Sequence, residues 1–225
     1  GIKVKIQKNY CEIVGNGING FKYKKNLTID AKNSGTLSRL ILGLLIKSPK
    51  KIKIIGDKSL SKRDFSRITT PLAKFGVKFS YKIKDKLPLT ILGTQSAQGI
   101  KYLENRGSAQ CKSSIMLAAL NASGTTSIKA KKSRNHSELL FKYLKIPIKV
   151  RKTKKFDFID IKRPKKINAF NYQIPGDISS SAFFIILTTL AKDSKLLIRN
   201  VNINPSRIGV ITILKKMGAK ITLKN

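Results

Sequence analysis

The feature that most constrains the fold is a repeat of about 70 residues. Three apolar, helix-like segments begin beside a glycine and a small polar or acidic residue; these glycines, Gly35, Gly107 and Gly176, lie 72 and 69 residues apart. Each segment is followed by a β-like run, a second helical pattern and another β-like run. Apolar residues recur roughly every 3.6 positions in the helical segments and every 2 in the β-like runs. The sequence therefore predicts an α/β (α+β) fold built from repeated units.

The remaining elements of each unit are read from the same periodicity. The predicted strands are 52–56 and 76–83 in the first unit, 125–130 and 146–152 in the second, and 195–201 and 218–223 in the third. The second helices are SRITTPLAKF, HSELLFKYL and PSRIGVITILKKM.

The charge is large, but it is spread along the chain. Of 225 residues, 47 are Lys or Arg and 11 are Asp or Glu, which gives a net charge of +36. Only nine of the 47 are Arg, the residue suited to bidentate phosphate and base contacts. We therefore expect a solvated lysine-rich surface and small anionic substrates, with no specific nucleic acid as partner.

Composition also excludes several kinds of site. Two cysteines and a single histidine exclude a four-cysteine zinc site and a multi-histidine metal site, so no metal or cofactor is expected. The longest apolar stretch, 182–191, is too short to cross a bilayer. We expect a cytoplasmic protein.

The helix starts carry an unexpected charge. Gly with Ser, Thr or Asp is favourable N-cap chemistry, and a helix N-terminus attracts anions. Yet Arg39 and Lys112 lie close to two of these starts, where a cation opposes the helix dipole by about 0.3–1 kcal/mol. A bound anion would resolve the conflict, although side chains that simply point to solvent remain an alternative.

Further candidates lie at the second helix of each unit. Arg63 and Arg67, four residues apart, are predicted to share one helix face that could grip a phosphate or carboxylate. In SRNHSELL, Arg134 is the better anion ligand, and His136 is interpreted as structural because no partner for catalysis is evident. Asp57 and Asp177 suit turn or cap positions.

Taken together, the motifs resemble one family. NSGT with Arg39, GDKSLSKRDFSRITTPLAKFG, SAQCKSSIMLAAL, SRNHSELL, IPGDISSSAF and NPSRIGVITILKKMGAKI occur in the order found in 5-enolpyruvylshikimate-3-phosphate synthases. Members of this family are nearly twice as long, so the resemblance implies a central piece that lacks both ends.

The resemblance implies the enolpyruvyl transferase-like fold of two lobes, each made of βαβαββ units. Residues 1–173 are then most of the first lobe, about two units plus connecting strands, and 174–225 are the first unit of the second. The family transfers the enolpyruvyl group of phosphoenolpyruvate to the 5-hydroxyl of shikimate 3-phosphate and releases phosphate, in the shikimate pathway of aromatic amino-acid biosynthesis. The whole enzyme is expected to be monomeric.

The resemblance also implies which residues bind substrate. Those matched to shikimate 3-phosphate are Ser108, Ala109, Gln110, Ser133 and Arg134. Those matched to phosphoenolpyruvate are Gly35, Arg63 and Gln110, and possible additional residues are Asn33, Arg39 and Lys112. Catalytic residues are expected to be absent, because the family's catalytic Asp and Glu match segments beyond Asn225. The isolated chain is therefore expected to be inactive.

Two details qualify these expectations. Asp64 follows Arg63 where the family usually has Pro, and an ion pair between them would weaken anion binding. Gly35 lies where glyphosate-tolerant members carry Ala, so the full-length protein is expected to be sensitive to this inhibitor.

Two alternatives stay open at this point. A UDP-N-acetylglucosamine enolpyruvyl transferase normally carries a reactive cysteine on a glycine-rich loop, and neither Cys11 nor Cys111 lies on one. A lysine-rich nucleic-acid-binding module would need aromatic residues interleaved with basic ones, and the aromatic content is only 7%.

Overall fold

The structure is a computed structural model that describes residues 2–18, 21, 23 and 27–224. The chain divides into two compact units, an N-terminal unit (Gly1–Ala169) and a C-terminal unit (Phe170–Asn225).

The N-terminal unit begins with an antiparallel hairpin of β1 (Lys3–Ile6) and β2 (Cys11–Val14). A four-stranded sheet follows, composed of β3 (Leu27–Asp30), β4 (Ile52–Ile55), β5 (Lys78–Tyr81) and β6 (Leu89–Leu92). Its helices are α1 (Gly35–Leu44, with a 3₁₀ turn at Leu45–Lys47), α2 (Lys58–Ser61) and α3 (Ser66–Ala73). The strand order is β3-β4-β6-β5, and only β3 and β4 are parallel.

The second sheet repeats this plan. It contains β7 (Lys101–Glu104), β8 (Thr125–Lys131), β9 (Ile148–Lys152) and β10 (Phe156–Lys162), with α4 (Ala109–Ala119) after β7 and α5 (His136–Tyr143) after β8. The order is β7-β8-β10-β9, and again only the first pair is parallel. Both stretches are therefore βαβαββ units, which confirms the α/β fold and the repeat in this part of the chain.

The helices start at their caps and pack on the sheets by their apolar faces. In β4, Ile52 and Ile54 alternate with an exposed lysine and are completely buried, as the period of two predicts. Ile115 and Met116 of α4 are also completely buried in the same core. Burial of each such side chain stabilises the fold by about 1.5–3 kcal/mol.

Helices α1 and α4 approach each other unusually closely at Gly43. A Cβ atom added at Gly43 would lie 2.2 Å from the carbonyl oxygen of Ser114, so only glycine permits this contact. The Ser114 hydroxyl also donates to the Arg39 carbonyl at 3.0 Å. This crossing holds the two helices in contact.

The C-terminal unit contains α6 (Ile178–Leu190) and α7 (Gly209–Lys216). The strands predicted at 195–201 and 218–223 do not form among its described residues; only a bridge between Gly176 and Val201 is present. A strand needs a neighbour to complete its hydrogen bonds, and beyond that single bridge these runs have none among the described residues of the unit.

Two other differences concern local structure. Periodicity predicts neither the opening strands β3 and β7 nor the closing strands β6 and β10, although the βαβαββ unit implied by the family resemblance contains them. The helix expected to carry both Arg63 and Arg67 is interrupted, because α2 ends at Ser61 and α3 begins at Ser66. Arg63 therefore lies in the connection, and the expectation that the two arginines share one helix face is wrong.

Candidate functional site

The first component of the site is the start of α1. Ser34 is its N-cap, and its hydroxyl accepts a hydrogen bond from the Leu37 amide at 3.0 Å. Gly35 is the first helical residue and is buried. A Cβ atom at Gly35 would lie 3.0 Å from Nη1 of Arg63 and 3.7 Å from Nη1 of Arg39. The absence of a side chain thus lets two guanidinium groups reach this helix N-terminus.

The second component is the start of α4. Its N-cap is Ser108, whose hydroxyl accepts from the Cys111 amide at 3.2 Å. Gly107 precedes the cap with a φ of 69°, a conformation that favours glycine. The repeated glycines are therefore not equivalent, because Gly35 follows its cap whereas Gly107 precedes it.

Gln110 joins these two helix starts. Its Oε1 accepts a hydrogen bond from Nη1 of Arg39 at 2.5 Å, and its Nε2 donates to the Thr36 hydroxyl at 2.9 Å. Both partners belong to α1, so the first turns of α1 and α4 lie side by side. Each helix N-terminus carries a partial positive charge of about +0.5, and the two charges reinforce each other here.

Three arginines concentrate positive charge at the same place. Burial lowers the pKa of Arg39, and the positive charges of Arg63 and Arg67 lower it further. The Arg39 guanidinium also lies 5.6 Å from the centre of the Phe65 ring. No ion pair joins Arg39, Arg63 or Arg67 to a carboxylate within the part of the chain that the structure describes. Such a cluster is suited to an anion.

Asp64 does not form the expected ion pair. Its carboxylate accepts hydrogen bonds from the Ser66 amide and the Ser66 hydroxyl, both at 2.7 Å. These bonds, chiefly the one from the hydroxyl, hold the pKa of Asp64 below its usual value, and nearby Arg67 and Arg106 contribute. Asp64 thus stabilises the start of α3 and leaves Arg63 available.

The start of α5 is attached to α4 by a buried ion pair. Lys112 is completely buried, and its Nζ lies 2.6 Å from Oε1 of Glu138 and donates to the Arg134 carbonyl at 2.9 Å. Next to this pair, the hydroxyls of Ser113 and Ser137 are 2.6 Å apart. The anion expected at Lys112 is therefore a carboxylate of the protein itself. The interpretation of Lys112 as a direct ligand is not supported by this geometry.

The segment between β8 and α5 contacts this pair through the Arg134 carbonyl. The Ser133 hydroxyl is buried and has no hydrogen-bond partner among the described residues, whereas Arg134 is exposed. Asn33, the remaining candidate, donates from its amide to the Asp57 carboxylate. Asp57 in turn caps α2 by accepting from the Leu60 amide at 2.7 Å, and Asp177 caps α6, so both cap predictions are confirmed.

The structure thus gathers the candidates around the start of α4. Gly35, Arg39, Arg63 and Gln110 form one group on the side of α1. On the side of α5, Lys112 donates a hydrogen bond to the carbonyl of Arg134, next to Ser133. Sequence reasoning missed Thr36 and Glu138, which complete these contacts; Thr36 lies within the quoted NSGT motif and Glu138 within SRNHSELL.

Cys111 is unsuited to covalent chemistry. It is buried, its Sγ contacts the Arg67 carbonyl at 2.9 Å, and burial raises the pKa of the thiol to about 12, with a contribution from Glu104. Among residues 2–18, 21, 23 and 27–224, no three metal-ligating side chains form a group. In the same residues no helix is long and apolar enough to span a membrane.

The repeated units and their adjacent helix starts define an α/β protein with a cluster of positive charge suited to anions. A family model described as EPSP synthase (3-phosphoshikimate 1-carboxyvinyltransferase) matches residues 1–225. The chain belongs to this family.

Curated relatives carry the same description. The 3-phosphoshikimate 1-carboxyvinyltransferase of Ruthia magnifica is 42% identical over all of this chain and 51% of its own length, and that of Bacillus subtilis is 36% identical over all of this chain and 51% of its own. The solved EPSP synthase of Acinetobacter baumannii has a TM-score of 0.87 at 35% identity, over the whole chain and 50% of that structure. The chain spans about half the length of the relatives it matches.

Proposed function

We propose that the full-length protein transfers the enolpyruvyl group of phosphoenolpyruvate to the 5-hydroxyl of shikimate 3-phosphate and releases phosphate. Family membership supports the reaction. The observation that carries the proposal is the Gln110 bridge, because it joins two helix N-termini beside the Arg39 and Arg63 guanidinium groups. Both proposed substrates are polyanions, and such a site matches their charge.

The proposed reaction is an addition followed by an elimination. Protonation of the methylene carbon of phosphoenolpyruvate makes C2 electrophilic, and the 5-hydroxyl of shikimate 3-phosphate adds to C2 as it loses its proton. The tetrahedral intermediate then eliminates phosphate and loses a proton from the former methylene carbon. Within this chain the proposed contribution is binding and orientation, which preorganises positive charge for both substrates.

We assign the residues to substrates as follows. Ser108, Ala109, Gln110, Ser133 and Arg134 bind shikimate 3-phosphate, and the unpartnered Ser133 hydroxyl supports a ligand at that position. Gly35, Arg63 and Gln110 bind phosphoenolpyruvate, and the 3.0 Å approach of the Arg63 guanidinium to Gly35 supports this grouping. Asn33 and Arg39 have indirect roles in this assignment. Asn33 holds the Asp57 carboxylate, and Arg39 holds the Gln110 side chain, through the hydrogen bonds that they donate.

The proposal extends to the organisation of the protein. Residues 1–173 form most of one lobe and 174–225 belong to the next, in a cytoplasmic enzyme that acts as a monomer. Sedimentation of the full-length protein at assay concentration tests the monomer.

The test compares two arginine variants of the full-length protein. Phosphate release is measured with both substrates, and shikimate 3-phosphate binding is measured by calorimetry. Arg134→Ala is expected to raise the Kd for shikimate 3-phosphate by about tenfold or more, since a charge-assisted contact contributes roughly 1.5–3 kcal/mol. The control Arg151→Ala removes an arginine that stacks on the Phe158 ring 4.1 Å away, outside the site, and is expected to bind normally.

Two results would contradict the proposal. The first is wild-type protein that releases no phosphate from the two substrates together. The second is a pair of variants with equal loss of binding, which would indicate a general effect of charge. Affinity for DNA with a steep salt dependence and no binding of shikimate 3-phosphate would favour a nucleic-acid-binding module instead.

A further inference from the structure

The buried ion pair between α4 and α5 is not explained by substrate contact. Lys112 has no exposed surface, and Glu138 is 4% exposed. Burial of two charges is costly, and an apolar pair of the same size would stabilise a core equally well or better. The pair therefore calls for a reason beyond stability.

The contacts of Lys112 point to that reason. The ammonium nitrogen lies 2.6 Å from Oε1 of Glu138, in the first turn of α5, and donates a hydrogen bond to the carbonyl of Arg134. The ammonium group thus links α4, the first turn of α5 and the segment between them. That segment carries the side chains of Ser133 and Arg134.

The hydrogen bond from Lys112 to the Arg134 carbonyl supports the start of α5. Residue Asn135 occupies the N-cap position of α5, but its side chain makes no capping hydrogen bond to the first turn. Two contacts with α4 support the start of α5, namely the Lys112 pair and the Ser113–Ser137 hydrogen bond. An apolar side chain at position 112 would leave the Arg134 carbonyl without this donor.

We propose that Lys112 and Glu138 are positioning residues for shikimate 3-phosphate, and that they act by fixing the backbone of Arg134. This inference rests on the proposed function, because it takes Arg134 as a ligand of that substrate. Lys112 and Glu138 themselves do not touch the substrate. A displacement of about 1 Å in a positioned group can cost up to ~100-fold in rate, so a modest shift of this segment is sufficient.

The first experiment measures substrate affinity in the full-length protein. Lys112→Met is expected to raise the Kd for shikimate 3-phosphate about tenfold, with the KM for phosphoenolpyruvate changed less than twofold. In an Arg134→Ala background the same substitution is expected to add no further loss, because its effect passes through Arg134. The control Lys142→Met removes an exposed lysine from the last turn of α5 and is expected to change neither constant.

The second experiment separates positioning from stability. Lys112→Met/Glu138→Gln removes both charges, so it is expected to recover much of the thermal stability lost in Lys112→Met alone. It does not restore the donor to the Arg134 carbonyl, so affinity for shikimate 3-phosphate stays low. Recovery of affinity together with stability would overturn the proposal, as would additive losses in the Arg134→Ala background.

A third measurement does not depend on the substrate. Amide hydrogen exchange of residues 133–137 is expected to accelerate in Lys112→Met and to remain normal in Lys142→Met. If the wild-type protein does not bind shikimate 3-phosphate, the proposed function fails while this result still tests the contact. Unchanged exchange in this segment would overturn the positioning role even in an active enzyme.

Discussion

Substitution of Gly43 by alanine tests how closely α1 and α4 must approach for the site to form. The added methyl group would lie 2.2 Å from the Ser114 carbonyl oxygen, whereas ordinary contact for such an atom begins near 3.4 Å. The two helices must therefore separate by about 1 Å. The atoms in the way belong to the backbone of α4, so no side-chain rotation relieves the clash.

The magnitude follows from two opposing effects. Overpacking at such a contact costs about 1–3 kcal/mol. Replacement of glycine by alanine inside a helix returns about 0.8–1 kcal/mol. We expect a net loss of about 0–2 kcal/mol in the free energy of unfolding, which is modest. The effect on the site is larger, because a shift of about 1 Å breaks the 2.9 Å hydrogen bond between Gln110 and Thr36.

The assay is therefore a comparison of stability with affinity. Thermal unfolding and the Kd for both substrates are measured for the full-length protein, its Gly43→Ala variant and a Gly209→Ala control. Gly209 is also helical, but no atom lies within 4 Å of an added Cβ. We expect Gly43→Ala to lose about tenfold or more in affinity at a small cost in stability. Wild-type affinity in this variant would refute the claim that the α1–α4 crossing sets the site.

Three further predictions follow from single contacts. The methyl group of Gly35→Ala crowds Nη1 of Arg63, which is the far end of a flexible side chain, so the protein is expected to fold normally. At least about tenfold more glyphosate is expected to be needed for half inhibition. Equal inhibition of both forms would argue against the assignment of Gly35 to the phosphoenolpyruvate site. Burial raises the pKa of the Cys111 thiol to about 12, so iodoacetamide at pH 8 is expected to label exposed Cys11 and to spare Cys111. Peptide mass spectrometry of the labelled protein checks this, and rapid labelling of Cys111 in the native protein would contradict its burial. The pKa of Asp57 is lowered chiefly by the hydrogen bond from Asn33, and that of Asp64 chiefly by the hydrogen bond from Ser66. Both carboxylates therefore contribute stability that is present above about pH 4 and is lost as the pH falls through their folded pKa values. The free energy of unfolding of Asp57→Asn should fall less steeply with decreasing pH, and an unchanged pH dependence would contradict the capping role.

Several features of both units could be predicted because their patterns are local. The alternation in β4 and the caps at Asp57 and Asp177 depend on neighbouring residues, and both appear in the structure. The strands expected at 195–201 and 218–223 depend on partners elsewhere in a sheet. Local periodicity carries no information about such partners, so these two predictions were wrong for the described chain.

The site was predicted in composition but not in its internal contacts. Motifs marked Arg39 and Lys112 as cations that conflict with a helix dipole, and either a bound anion or exposure to solvent was expected to resolve the conflict. The structure gives Arg39 a neutral amide partner and Lys112 a buried carboxylate. These pairings join residues 71 and 26 positions apart, and only the packed fold brings them together.

The bridge between Thr36 and Gln110 has a consequence for how such a site arises. Each is the second residue of the helix that follows the first strand of its βαβαββ unit, so the same position in two copies of one motif meets itself across the boundary. A lone copy would have only half of this contact. The contact therefore requires both copies in one chain, and a substitution in either copy alters a structure that the two copies share.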